Sequence, residues 1–205
     1  LHRINGVWYI YFAGAATDFE ASGLPTHRMF VLENADDDPT SDNWVEKGQI
    51  VTPIDSFALD ATTEVVDGVQ YLVWAQKDPA IEGNSNLYIA RMANPWTLGS
   101  EPVMLTKPEY DWECIDFLVN EGPAFLLHGD KIYITYSASG TGVPYAVGLL
   151  TAERGSDLLD KASWSKSPVP VFKTCVENGQ YGPGHNSFTK SEDGTEDLMI
   201  YHCRN

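Results

Sequence analysis

At 205 residues, with 43% apolar and 12% aromatic side chains, the chain can build one sizeable core and is no disordered polymer. Its net charge of −16 repels phosphate backbones and anionic lipid, and no run approaches the roughly 18 uninterrupted apolar residues of a membrane helix. Nucleic acid and membranes are therefore not expected partners, whereas a neutral ligand such as a sugar suits an acidic, aromatic-rich domain.

Taken in chain order, the residues read almost wholly as strands and tight turns. Arg3-Ile4-Asn5-Gly6-Val7-Trp8-Tyr9-Ile10-Tyr11 is a hairpin: Asn-Gly between β-branched and aromatic runs supplies the positive φ angles of a two-residue turn. A third strand follows at 28–33 and a tryptophan segment at Trp44. Between them, Asp36-Asp37-Asp38-Pro39 lacks the alternating ligands, central glycine and final Glu of a calcium loop and reads as a solvated turn. The pattern returns at 65–74 around Asp67-Gly68, with a third strand at 86–91 and Trp96. It returns again at 126–136 around Gly129, with a third strand at 145–150 and Trp164. A last copy surrounds Gly194. The one helix-like stretch, 156–161, reads as a turn within a loop.

The hairpin glycines are 62, 61 and 65 residues apart. Four strands in each unit, repeated at that interval, predict an all-β fold, a β-propeller, with blades at about 1–53, 54–109, 110–178 and a partial one at 179–205. A β-sandwich also fits short strands with frequent turns, but not the regular repeat. The three cysteines, Cys114, Cys175 and Cys203, allow at most one disulfide and form no metal-like cluster.

Asp60 precedes Gly68 by eight residues, Glu121 precedes Gly129 by eight, and His185 precedes Gly194 by nine. Equivalent positions on the first strand of each blade converge on the propeller axis, so these three side chains are the candidate site. Pro123 and Pro183 fit first strands, which are edges and tolerate proline. Two carboxylates facing one cavity supply glycoside hydrolysis with a protonated acid and an ionised partner. A single Glu in a strand–turn context is ordinarily a solvated loop residue, and only the shared offset argues otherwise. The residues alone read His185 as a structural histidine, because no second His or Cys stands at ligand spacing. Trp8, Trp74 and Trp112 could stack on a sugar ring, although most strand aromatics are core; no substrate-binding residue is assigned.

Leu1–Ala13, Leu59-Asp60-Ala61-Thr62 with Tyr71–Gln76, Asn120-Glu121-Gly122-Pro123 and Tyr181–Phe188 together resemble glycoside hydrolase family 43, nearest its exo-acting α-L-arabinofuranosidase branch. The resemblance covers the whole chain. It implies a five-bladed propeller, incomplete at both ends here, and an inverting glycosidase that releases terminal α-L-arabinofuranosyl groups from plant cell-wall arabinan or arabinoxylan outside the cell. It assigns Glu121 as general acid and Asp60 as the aspartate that orients the acid and modulates its pKa. The general base of that family belongs to a blade preceding Leu1, and Asp18 and Asp55 lie at the wrong blade position to replace it. A substrate-contacting arginine region is expected after Asn205. The chain therefore reads as an inactive fragment of an enzyme. No cofactor is required for the chemistry; His185 is expected to touch a structural calcium ion in the central channel through a mostly water shell. A β-xylosidase or endo-arabinanase on the same fold, or a non-catalytic carbohydrate-binding propeller, are the alternatives.

Overall fold

The computed structural model describes residues 1–19 and 25–205, the side chains of 16–19 and 25 excepted. Its strands fall into four antiparallel sheets in chain order. The first contains β1 (His2–Ile4), β2 (Val7–Phe19), β3 (Pro25–Asn34) and β4 (Val45–Gln49). The second contains β5 (Ala58–Val66), β6 (Val69–Gln76), β7 (Asn86–Asn94), β8 (Thr97–Leu98) and β9 (Val103–Thr106), the last also pairing with β7. The third contains β10 (Asn120–His128), β11 (Lys131–Ala138), β12 (Ala146–Glu153) and β13 (Ser165–Lys166). The fourth is the pair β14 (Tyr181–Lys190) and β15 (Asp197–Arg204). Among the described residues helix is confined to single turns at Asp111–Glu113, Lys161–Ser163 and Val176–Asn178.

Each sheet runs outward from its first strand, and β10 lies against both β5 and β14. First strands side by side, with the remaining strands radiating from them, form the propeller arrangement. The core is two apolar layers between neighbouring blades. Leu72, Trp74, Met29 and Val31 fill the layer between the first and second sheets. Val73, Ile89, Ile132, Ile134 and Tyr136 fill the layer between the second and third. A middle strand such as β6 is therefore apolar on both faces, which explains the unbroken run from Tyr71 to Ala75. All three cysteines are free and half-buried.

The hairpin turns follow the sequence signals. Asn5 and Gly6 have φ of 51° and 86°, and Asp67 and Gly68 have 49° and 82°, the paired positive angles of a type I′ turn. The turn at Gly129-Asp130 differs: only Gly129 has positive φ (58°), the pattern of a type II′ turn, with glycine first rather than second.

The segment leading into β10 hangs on one buried carboxylate. Glu113 is fully buried and accepts hydrogen bonds from the amides of Glu109 and Tyr110, from Asn120 Nδ2 and from the Tyr136 hydroxyl. Lys166 supplies its counter-charge at 2.7 Å. Removing one partner of a buried pair strands the other charge, so Lys166→Met is expected to destabilise the fold by about 3–5 kcal/mol in urea unfolding. A change below about 1 kcal/mol would show that the hydrogen bonds suffice without the lysine.

Candidate active site

Asp60, Glu121 and His185 do lie together at the start of adjacent first strands, but not at equivalent positions. The register shows why. In β5, Leu59 pairs with Ala75 and Thr62 with Val73, leaving Asp60 and Ala61 opposite Trp74 alone. In β10, Glu121 pairs with Ser137 and Ala124 with Thr135, leaving Gly122 and Pro123 opposite Tyr136. In β14, Gly184 pairs with His202 and Ser187 with Ile200, leaving His185 and Asn186 opposite Tyr201. These three first strands thus carry the same two-against-one β-bulge facing an aromatic residue. The leading bulge residues have left-handed φ: Asp60 56°, Gly122 55° and His185 49°.

Asp60 and His185 are therefore equivalent to each other and to Gly122, whereas Glu121 stands one place earlier, level with Leu59 and Gly184. The equal offset of Asp60 and Glu121 from their glycines is corrected on this point. It arises because glycine is second in one turn and first in the other. The bulge remains the device that brings them together, since it turns Asp60 and Gly122 toward one another. The Gly122 N–H donates to Asp60 Oδ2 at 3.0 Å. Asp60 thus grips the backbone immediately after Glu121. His185 closes the other side, with Nε2 3.7 Å from Asp60 Oδ1. A side chain at 122 would meet the His185 ring at 3.0 Å on a backbone that already favours glycine.

Glu121 has a different partner. The buried Tyr145 hydroxyl donates to its Oε1 at 2.7 Å. Tyr145 is also hydrogen-bonded by Ser137, whose Oγ accepts the His185 N–H at 2.7 Å. The chain from the β14 backbone through Ser137 and Tyr145 to Glu121 ties the carboxylate to two blades. Position 184 has to be glycine for this chain to pass, because a Cβ there would overlap the Tyr145 ring and sit 2.8 Å from Ser137 Oγ. Nothing near Tyr145 in the sequence announces this role; it depends on a tertiary contact 24 residues away.

Burial is the main cause that raises the Asp60 carboxyl above its usual range. The charge of His185 opposes it, the charge of Glu121 adds to it, and the Gly122 hydrogen bond and His27 pull it back. Tyr145 is likewise pushed up, first by burial and then by the Glu121 charge, so its phenol stays a proton donor. Of the other aspartates considered as bases, Asp55 is exposed and paired with Arg28 at 2.8 Å, and the side chain of Asp18 lies outside the described residues.

The expected calcium contact, made by His185 through a mostly water shell, asks for no protein cage. Among the described residues no group of three or more His, Cys, Asp or Glu side chains is placed to hold a metal ion, and the His185 imidazole faces Asp60. Among the described residues, a cation at this point would meet the His185 imidazole and an Asp60 carboxylate that is already hydrogen-bonded. Trp74 is fully buried, and the indoles of Trp8 and Trp112 donate to the carbonyls of Asp37 and Pro168. These tryptophans serve packing and loop fixation. An exposed aromatic, Phe117, lines one cavity with Glu121, and no sequence signal marks it.

The Glycosyl hydrolases family 43 profile matches residues 1–205. An extracellular exo-α-(1→5)-L-arabinofuranosidase of Streptomyces avermitilis is 52% identical over 205 residues, covering 100% of this chain and 42% of that protein. An extracellular exo-α-(1→5)-L-arabinofuranosidase of Streptomyces chartreusis is 49% identical over 204 residues, covering 100% of this chain and 61% of that protein. The crystal structure of the α-L-arabinofuranosidase from Lactobacillus brevis superposes with a TM-score of 0.96 at 56% identity, over 100% of this chain and 64% of that one. The chain thus spans less than two thirds of the length of each. Profile, sequence and architecture agree: this chain belongs to glycosyl hydrolases family 43.

Proposed function

We propose that the protein carrying this chain is an extracellular, inverting glycoside hydrolase that releases terminal α-L-arabinofuranosyl groups from arabinan- or arabinoxylan-type chains. One observation carries the reading: a Glu locked by a buried tyrosine stands beside a buried Asp that holds the very next backbone amide. The naming of the two Streptomyces relatives supports arabinofuranose as the sugar and secretion as the setting.

In this reading Glu121 is the general acid. Tyr145 occupies Oε1 as donor, so the transferable proton sits on Oε2 and passes to the glycosidic oxygen as the bond to the anomeric carbon breaks. Asp60 is a positioning residue: it fixes the Gly122 amide and sets the charge beside the acid. Water attacks from the opposite face of the sugar, which inverts the anomeric centre. The water-activating base is assigned to none of the described residues. The test is arabinose release from α-1,5-arabino-oligosaccharides, with the anomer of the first product read by NMR. Initial appearance of the β-anomer is expected; xylose release from xylo-oligosaccharides without arabinose release would overturn the sugar assignment.

Tyr145→Phe removes the hydrogen bond to the acid together with the one from Ser137. It is expected to lower kcat on oligosaccharides roughly tenfold, the worth of one hydrogen bond to a charged group, and to spare substrates that depart without protonation. An unchanged kcat on oligosaccharides would mean that Tyr145 only packs.

A further inference from the structure

His202 is exposed near the end of β15, and an exposed histidine on a strand ordinarily asks for no explanation. Its neighbours set this one apart. The imidazole lies nearly parallel to the Tyr145 ring, at an interplanar angle of 13° with centroids 5.8 Å apart, within the range of an offset aromatic pair. It also meets the His185 ring, tilted by 31° at a centroid distance of 6.1 Å. One side chain therefore touches both the tyrosine that donates to Glu121 and the histidine that stands against Asp60.

The backbone prepares this contact. His202 is paired directly with Gly184, and directly opposed residues of an antiparallel pair share one face. Because position 184 carries no side chain, the Tyr145 ring takes the place beside the imidazole: a Cβ at 184 would lie 2.3 Å from Tyr145 Cε1. Tyr145 is thus held at its hydroxyl by Glu121 and Ser137, and along its ring by Gly184 and His202. The hydrogen bonds fix the phenolic oxygen but leave the ring free to swing about it, and the strength of a hydrogen bond falls steeply as its angle departs from linear. A flat neighbour restricts that swing. We propose that His202 is a positioning residue for the general acid: its imidazole holds the Tyr145 phenol at the angle from which the hydroxyl donates to Glu121, without itself touching the sugar. The inference rests on the proposed function.

The test measures kcat and KM for wild type, His202→Ala and His202→Phe in the full-length protein, on α-1,5-arabinotriose and on dinitrophenyl α-L-arabinofuranoside, whose leaving group departs without a proton. His202→Ala is expected to lose about three- to tenfold in kcat on the triose, the scale of one aromatic pair, with little change in KM and a much smaller loss on the aryl substrate. His202→Phe returns a flat ring to the stack and should recover most of that loss. In a Tyr145→Phe background no hydroxyl remains to be aimed, so His202→Ala should cost little further. Equal losses on the two substrates, a change confined to KM, or a loss that adds in full to that of Tyr145→Phe would overturn the positioning role. So would an unchanged kcat on the triose; each of these results leaves the proposed function standing. A wild type that releases arabinose from neither substrate would instead overturn the proposed function itself.

Discussion

Glu121→Ala is expected to cut arabinose release from oligosaccharides by roughly 10²- to 10⁴-fold, the usual worth of a positioned proton donor. The same variant should lose far less on aryl arabinofuranosides whose leaving groups depart as stable anions. The difference separates an acid from a residue that merely binds, since lost binding would penalise both substrates alike. Glu121 is partly exposed and its recorded side-chain partner is the Tyr145 hydroxyl, so the variant should stay folded. Comparison of kcat for the two leaving groups checks the expectation, and near-wild-type rates on oligosaccharides would remove Glu121 from the role.

Asp60→Asn is the second large expected effect. Asparagine accepts left-handed φ more readily than other replacements and keeps an oxygen for the Gly122 amide, so the substitution chiefly deletes a charge. An ionised Asp60 resists the appearance of a second negative charge beside it. The Glu121 charge raises the Asp60 carboxyl, a mutual coupling that Asn removes, so the alkaline limb of the pH–rate profile should move down. Activity at neutral pH falls with it. An unmoved limb would count against electrostatic coupling. Stability distinguishes this from unfolding: burial raises the folded-state pKa of Asp60, so the native protein binds that proton more tightly than the unfolded chain does. The resulting contribution to stability is lost as pH rises from the unfolded pKa through the folded one. Asn removes that penalty, so the variant should be no less stable than wild type above this window.

The hairpins were legible because Asn5-Gly6 and Asp67-Gly68 demand a turn that few other pairs can make. The third strands expected at 28–33 and 86–91 lie within β3 and β7, where alternating or continuous apolar residues leave no other use. Glu121, Asp60 and His185 could be picked out together, but their relation could not. Counting from a glycine assumes that every turn uses it at the same place, and the turn at Gly129 does not. The bulge that sets the real alignment is unmarked at Asp60, where no glycine or proline flags it. Tyr145 and Ser137 were silent for another reason. Their effect on the site passes through one hydrogen bond within the third sheet's blade and one from it to the fourth, and strand periodicity records only which face a residue occupies.

The shared bulge also constrains how this site can vary. Its leading position has already been filled by three chemically unrelated residues, Asp60, Gly122 and His185, on nearly the same backbone angle. The main chain sets the direction, and whatever stands there inherits it. A saturation library at 60 or 185, sorted for folding alone, should therefore be enriched in Asn, Gly, Asp and His and depleted of Val, Ile and Thr, whose branched Cβ is disfavoured at positive φ. New chemistry can enter the axis of this propeller through those sockets without redesign of the strands around them.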